Sequence, residues 1–214
     1  MNLVLISIIS YLLGSIPFSY LVARAYGKNL YQIGSGNIGT ANVWRATGKI
    51  EAMIMALIGD LGKGILAVIL AQRFFPNQIL PQTLAAFFAV AGHNWPIFLK
   101  FKGGRGLATS AGILLYLNLK ALFLILITLG FCIFLTEILT KKRLKWEGNL
   151  REKIKGLFNI FISQVLGRVI GIGVATILLF FLYPVTFKII FPAAILAGIK
   201  HIKRTKTFLE GKVV

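Results

Sequence analysis

Apolar residues along this chain fall into seven blocks, separated by short polar stretches rich in glycine or base. The blocks run over Leu3 to Ala23, Ile50 to Phe75, Leu80 to Leu99, Leu107 to Leu117, Ala121 to Leu139, Val169 to Tyr183 and Val185 to Ile199. A helix that crosses a bilayer takes about 20 apolar residues, fewer where protein neighbours shield its ends. The fourth block reaches only about 17 Å at 1.5 Å per residue, so it is either a short shielded helix or one piece with the fifth. The pattern predicts an all-α integral membrane protein of about seven transmembrane helices. With 57% hydrophobic and 14% charged residues, the composition agrees. The block that begins after Asn2 has no basic leader and no small-residue cleavage site before Arg24, so it reads as a retained span.

Charge orients these spans. The 24 Lys and Arg against 6 Asp and Glu give a net charge of +18, a balance that also suits nucleic-acid binders. Position excludes that class, because the bases sit in the gaps between apolar blocks. With the amino terminus outside, the segments Arg24 to Lys49, Lys100 to Arg105, Lys141 to Lys155 and the tail from Lys200 are inside, and they hold 4, 3, 7 and 5 bases. Only Arg73, Lys120 and Lys188 fall outside, so the bias is 19 to 3 and the carboxyl terminus is cytoplasmic. That requires an odd number of spans and favours separate fourth and fifth helices. Residues 1–214 read as a single domain. Within it, Leu150, Ile154, Leu157, Phe158 and Phe161 recur at helical spacing among bases, which suits either an interfacial cytoplasmic insert over 141–161 or a solvated basic loop. Cys132 alone forms no disulfide within the chain, and six scattered acids offer no metal cluster.

Two inside loops carry candidate chemistry. The first reads Gly34-Ser35-Gly36-Asn37-Ile38-Gly39-Thr40-Ala41-Asn42-Val43-Trp44-Arg45. It contains G-x-G-x-x-G, yet no strand precedes it and no acidic ribose partner follows, so a dinucleotide site is a poor reading. Close glycines let backbone N–H groups converge on an anion, Ser35, Asn37 and Asn42 add hydrogen bonds, and Arg45 can clamp a phosphate; a tight turn whose Arg meets lipid headgroups is the alternative. The second runs from Gly92-His93-Asn94-Trp95-Pro96 to Phe101-Lys102-Gly103-Gly104-Arg105-Gly106 and leads into a helix amino terminus. Backbone donors, helix dipole and the Lys102 and Arg105 cations together make an anion site, whereas charge bias alone explains the bases and not the glycines. Inside the second block, Asp60 and Lys63 sit at i and i+3 among glycines, a pairing expected to support the site or the bundle interior. His93 and His201, the only histidines, fall at inside edges as a base, a phosphate donor or structural residues.

These two loops, with Gly14-Ser15-Ile16-Pro17-Phe18 and Asp60-Leu61-Gly62-Lys63-Gly64, resemble the bacterial acyl-phosphate-dependent glycerol-3-phosphate acyltransferases of the PlsY type. The resemblance implies a seven-span inner-membrane enzyme whose active site faces the cytoplasm. It implies transfer of a fatty acyl group from acyl phosphate to the 1-hydroxyl of glycerol 3-phosphate, giving lysophosphatidate in the first step of phospholipid synthesis. Catalytic positions carried over are Ser35, Arg45 and Arg105; phosphate-binding ones are Gly36, Asn37, Asn42, Lys102, Gly103, Gly104 and His201, with Asp60, Lys63 and His93 in support. Neither cofactor nor metal is implied, and the partners are the two substrates and membrane lipid. Phosphate is a good leaving group, so no acyl-enzyme is required and the substrate's own phosphate is an available proton acceptor.

Departures mark a divergent member. Arg105 replaces the usual Lys of the second motif, Thr40-Ala41-Asn42 replaces Ala-Thr-Asn, and a serine near the sixth span has no counterpart beyond Ser163 before Gly167-Arg168. The last motif is reduced to His201, Lys203, Arg204 and Gly211. Five residues after His93 and His201 stand Phe98 and Lys206, which excludes the acyltransferase class built on His and Asp at that spacing. The rival classes are a non-catalytic carrier or binding protein for anionic lipid or phosphometabolites, and an acyltransferase fold reduced to a regulatory or structural subunit.

Overall fold

A computed structural model describes residues 2–140 and 165–209, and these fold as an all-α bundle. The expected insert over 141–161 lies outside the described residues. Helix α1 (Leu3–Ser15) begins at Asn2, whose side chain accepts the Leu5 N–H at 2.8 Å. It stops because Pro17 drives the preceding residue out of the helical region, and Ile16 is extended at φ −62°, ψ 116°. The first span, expected unbroken over Leu3 to Ala23, is therefore two helices, α1 and α2 (Phe18–Ala25).

After α3 (Thr40–Thr47) and α4 (Ile50–Phe74) comes α5 (Ile79–Asn94). The third block, expected as helix to Leu99, ends as α-helix at Asn94, because Trp95 precedes Pro96 and leaves the helical region at φ −135°, ψ 66°. A 3-10 turn over Ile97–Leu99 takes up the remainder. Helices α6 (Leu107–Leu117) and α7 (Leu119–Thr140) are separate. Asn118 divides them, accepting the Ala121 N–H at 3.0 Å and donating to the Thr186 hydroxyl at 3.2 Å. Helix α8 (Val165–Leu182) starts before the expected Val169, and α9 (Pro184–Leu209) continues past the expected Ile199.

Four segments among the described residues are long and apolar enough to cross a membrane: Leu3–Ala25, Ile50–Phe74, Leu119–Thr136 and Pro184–His201. Leu107–Leu117 and Val169–Leu182 are shorter apolar helices. Large side chains such as Ile127, Leu139 and Phe181 stand exposed on outer faces, as a chain dissolved in lipid requires. One apolar core, including Val68, Val90, Ile113, Leu122, Leu179 and Ile190, joins α4 to α9.

Lipid removes most of the hydrophobic drive between spanning helices, so close packing has to hold them. Glycines provide it in reciprocal pairs. A Cβ at Gly14 would strike the Ala89 carbonyl and one at Gly92 the Tyr11 carbonyl, which fixes the α1–α5 crossing. Gly64 against Thr109 and Gly112 against Leu61 do the same for α4 and α6. Gly14→Ala is therefore expected to lower thermal stability in detergent by about 1–3 kcal/mol of overpacking. Gly173→Ala, whose Cβ meets nothing within 4 Å, should leave stability unchanged or raise it.

Candidate active site

The first glycine loop rests on its own small core. Leu30, Ile38 and Val43 are buried against Ala23, Ala52 and Ala56, pinning the segment to α2 and α4. Above that core the backbone turns through left-handed glycines, Gly34 at φ 57° and Gly36 at φ 64°. Asn42 ties the turn shut: its amide donates to the Leu30 and Ile33 carbonyls at 3.0 and 2.9 Å, and its oxygen accepts the Ser35 N–H at 3.2 Å. This side chain, expected to meet phosphate, is 1% exposed and engaged in shaping the loop. Ser35, Gly36 and Asn37 remain partly exposed beside it. Arg45 is half-buried on α3, with its Cδ over Gly34; burial pushes its guanidinium below the ordinary value, though an arginine that starts so high stays cationic.

The second loop folds back on the end of α5. The Gly104 N–H donates to the His93 carbonyl at 2.9 Å. No side chain fits at either of the paired glycines: a Cβ at Gly103 would strike the His93 carbonyl and Pro96, and one at Gly104 would strike His93 Nε2. Gly106 then enters α6 at φ 80°. Lys102 is exposed and Arg105 half-buried. The two loops are joined by Tyr31, whose hydroxyl donates to the Lys102 carbonyl at 2.7 Å. Burial and the neighbouring Tyr20 push the Tyr31 phenol up from its ordinary value.

Beneath both loops lies a buried polar centre. Asp60 and Lys63 pair at 2.9 Å with side chains 1% and 2% exposed. The Ser19 hydroxyl donates to Asp60 at 2.7 Å, and His93 Nδ1 stands 3.6 Å from the same carboxylate. Lys63 also donates to the Ile16 carbonyl at 2.9 Å, an acceptor freed by the break before Pro17. A narrow crevice between Ser15, Pro17, Ile38, Asp60, His93 and Pro96 connects this centre to the first loop.

The middle of α9 packs on the end of α5. Asn94 donates to the Leu196 carbonyl at 3.2 Å, and the Lys200 ammonium lies 4.9 Å from the Trp95 ring centroid. The next residue, His201, is buried. Both loops, the polar centre and the Leu196–Lys200 part of α9 thus meet around the end of α5. Gly167 packs instead against Ile133 and Thr136 of α7, and Ser163 lies outside the described residues. Among the described residues, no three His, Cys, Asp or Glu side chains gather in a form that would hold a metal ion. Sequence reading missed Ser19 and Tyr31. Ser19 is 41 positions from Asp60 and Tyr31 is 71 from Lys102, and neither pair has a local pattern to reveal it.

Apolar helices carrying two cationic glycine loops over a buried ion pair define an all-α, multi-pass membrane protein. The glycerol-3-phosphate acyltransferase family model matches residues 4–211, and the chain belongs to that family. A glycerol-3-phosphate acyltransferase of Wolbachia pipientis subsp. Culex pipiens is 38% identical over 208 residues, covering 97% of this chain and 95% of the relative. One of Rubrobacter xylanophilus is 50% identical over 111 residues, 51% of this chain and 54% of its own. The fold also resembles crystal structures of PlsY (YgiH), an integral membrane glycerol 3-phosphate acyltransferase. The glycerol 3-phosphate form gives a TM-score of 0.71 at 27% identity, and the lysophosphatidic acid form 0.72 at 28%; each comparison covers 99% of this chain and 94% of the other.

Asn42→Ala would leave two carbonyls and one N–H of the first loop without their partner, at about 1–3 kcal/mol for each that stays buried. Hydrogen exchange at Ser35 is expected to accelerate at least tenfold in that variant, while exchange in α7 stays unchanged.

Proposed function

We propose that this chain transfers a fatty acyl group from acyl phosphate to the 1-hydroxyl of glycerol 3-phosphate, giving lysophosphatidate and inorganic phosphate. The observation that carries this reading is the match to the acyltransferase family over nearly the whole chain. The structural neighbour's two forms are named for the acceptor and the product of this same reaction.

The chemistry follows from what the loops offer. The glycerol oxygen attacks the acyl carbon, an ester bond forms, and the bond from that carbon to the phosphate oxygen breaks. Phosphate leaves with the electron pair, and the hydroxyl proton passes to a phosphate oxygen. The protein's task is to hold two phosphates and one hydroxyl together and to stabilise charge on the carbonyl oxygen. Ser35, through its hydroxyl, and Asn37 supply neutral donors, while Gly36, whose N–H is taken by the Ile33 carbonyl, lets the chain turn between them. Arg45 and Arg105 act as fixed cations, because arginine does not release its proton at working pH. Lys102, Gly103 and His201 complete the phosphate contacts, while Gly104, whose N–H is taken by the His93 carbonyl, serves by shaping the second loop. Asn42 serves by shaping the first loop, and Asp60, Lys63 and His93 support both loops from below.

The same reading gives seven crossings in the bacterial inner membrane. Helices α5, α6 and α8 join the four long segments, shielded at their short ends by the bundle. The 19 to 3 distribution of bases places the amino terminus outside and both glycine loops at the cytoplasmic face. Residues 1–214 then form one acyltransferase domain.

Purified protein given palmitoyl phosphate and glycerol 3-phosphate is expected to release lysophosphatidate. Arg45→Ala should lower kcat/KM at least 100-fold, about 2.7 kcal/mol or more of lost transition-state stabilisation, and Arg45→Lys should restore only part of it. Folded wild-type protein that makes no product while moving phosphate esters across vesicles would point to the carrier instead.

A further inference from the structure

We infer that Asp60 is a positioning residue that acts through His93 to shape the Gly103–Gly104 cradle, so that a carboxylate buried in the helix bundle sets phosphate affinity at its edge. The inference rests on the acyltransferase reading for the identity of the phosphates.

The imidazole of His93 has two neighbours on opposite edges. Nδ1 faces Asp60 at 3.6 Å, and Nε2 faces the α-carbon of Gly104 so closely that a methyl group there has no room. The ring is 5% exposed and Asp60 1%, so solvent does not dilute the contact between them. The His93 carbonyl accepts the Gly104 N–H at 2.9 Å. Backbone and ring of one residue therefore both bear on Gly104. Asp60 in turn is fixed by Ser19 at 2.7 Å and Lys63 at 2.9 Å, which come from α2 and its own helix. A carboxylate held from two sides sets the ring plane, and the ring sets how deeply the loop can settle. That depth fixes where the loop N–H groups and the Arg105 cation stand relative to a bound phosphate, and an anion site tolerates little displacement. On this account glycine stands at 104 because of the ring beneath it.

Wild type, His93→Asn, Gly104→Ala and the double variant separate this account from a merely structural role. Asparagine keeps an amide near the Nδ1 position and deletes the ring edge under Gly104. Gly104→Ala alone is expected to raise KM for acyl phosphate or glycerol 3-phosphate at least tenfold. In the His93→Asn background the same methyl has room, and its effect on that KM should fall below threefold. Asp60→Asn should raise the same KM in the wild-type background and add less than threefold in His93→Asn. If Asp60→Asn is not recovered folded, Asp60→Glu, which displaces the charge, is read the same way. Equal penalties for Gly104→Ala in both backgrounds, no penalty in the wild type, or an Asp60 variant that changes kcat with both KM values intact would overturn the inference. An inactive wild type overturns the acyltransferase reading, and with it the substrates named here; an active one with additive losses overturns the positioning role alone.

Discussion

A carboxylate enclosed by apolar helices has to be paired, and the burial of Asp60 organises much of what surrounds it. At the centre of a spanning helix such a group costs about 2.5–3.5 kcal/mol on insertion scales, and losing one partner of a buried pair costs about 3–5 kcal/mol. Lys63, one turn along α4, supplies the counter-charge at 2.9 Å. That ammonium needs acceptors of its own, and the break before Pro17 provides one in the Ile16 carbonyl. The same break turns α2 so that Ser19 reaches Asp60 and Phe18 packs on Gly59. The kink in the first span and the charge in the second satisfy each other.

The loops take their positions from this arrangement. His93, in the last turn of α5, lies beside Asp60, and the chain past Pro96 turns back so that Gly103 and Gly104 lie on the His93 turn. Ile38, from the middle of the first loop, lines the crevice over the same centre. Tyr31 then fastens one loop to the other. Glycine segments are thus held in place by contacts to side chains and carbonyls, and the proposed function uses them as the two phosphate cradles.

Much of the fold was legible because lipid imposes a coarse rule on sequence. Each apolar block is helical, the first as two helices, and Asn118 divides the fourth from the fifth. Helix ends were less legible. The stretches Leu3 to Ala23 and Leu80 to Leu99 are apolar on average, and hydropathy does not register the backbone restriction that Pro17 and Pro96 place on Ile16 and Trp95. At the site, Asp60 and Lys63 could be paired from their i, i+3 spacing. Their third and fourth partners, Ser19 and His93, come from other helices and carry no such signal. Asn42 shows the opposite error: a polar residue in an anion-binding motif invites a ligand role, yet its amide is engaged by the loop that it closes.

Under the proposed function, two loops far apart in sequence make one phosphate site on one face of the membrane. Single cysteines at Asn37 and Lys102, in a Cys132→Ser background, test it with a membrane-impermeant thiol reagent applied from either side of oriented vesicles. Both should label from the cytoplasmic side only, and glycerol 3-phosphate with inorganic phosphate should slow both reactions together. Labelling from opposite sides, or protection of one position with the other unaffected, would contradict the account.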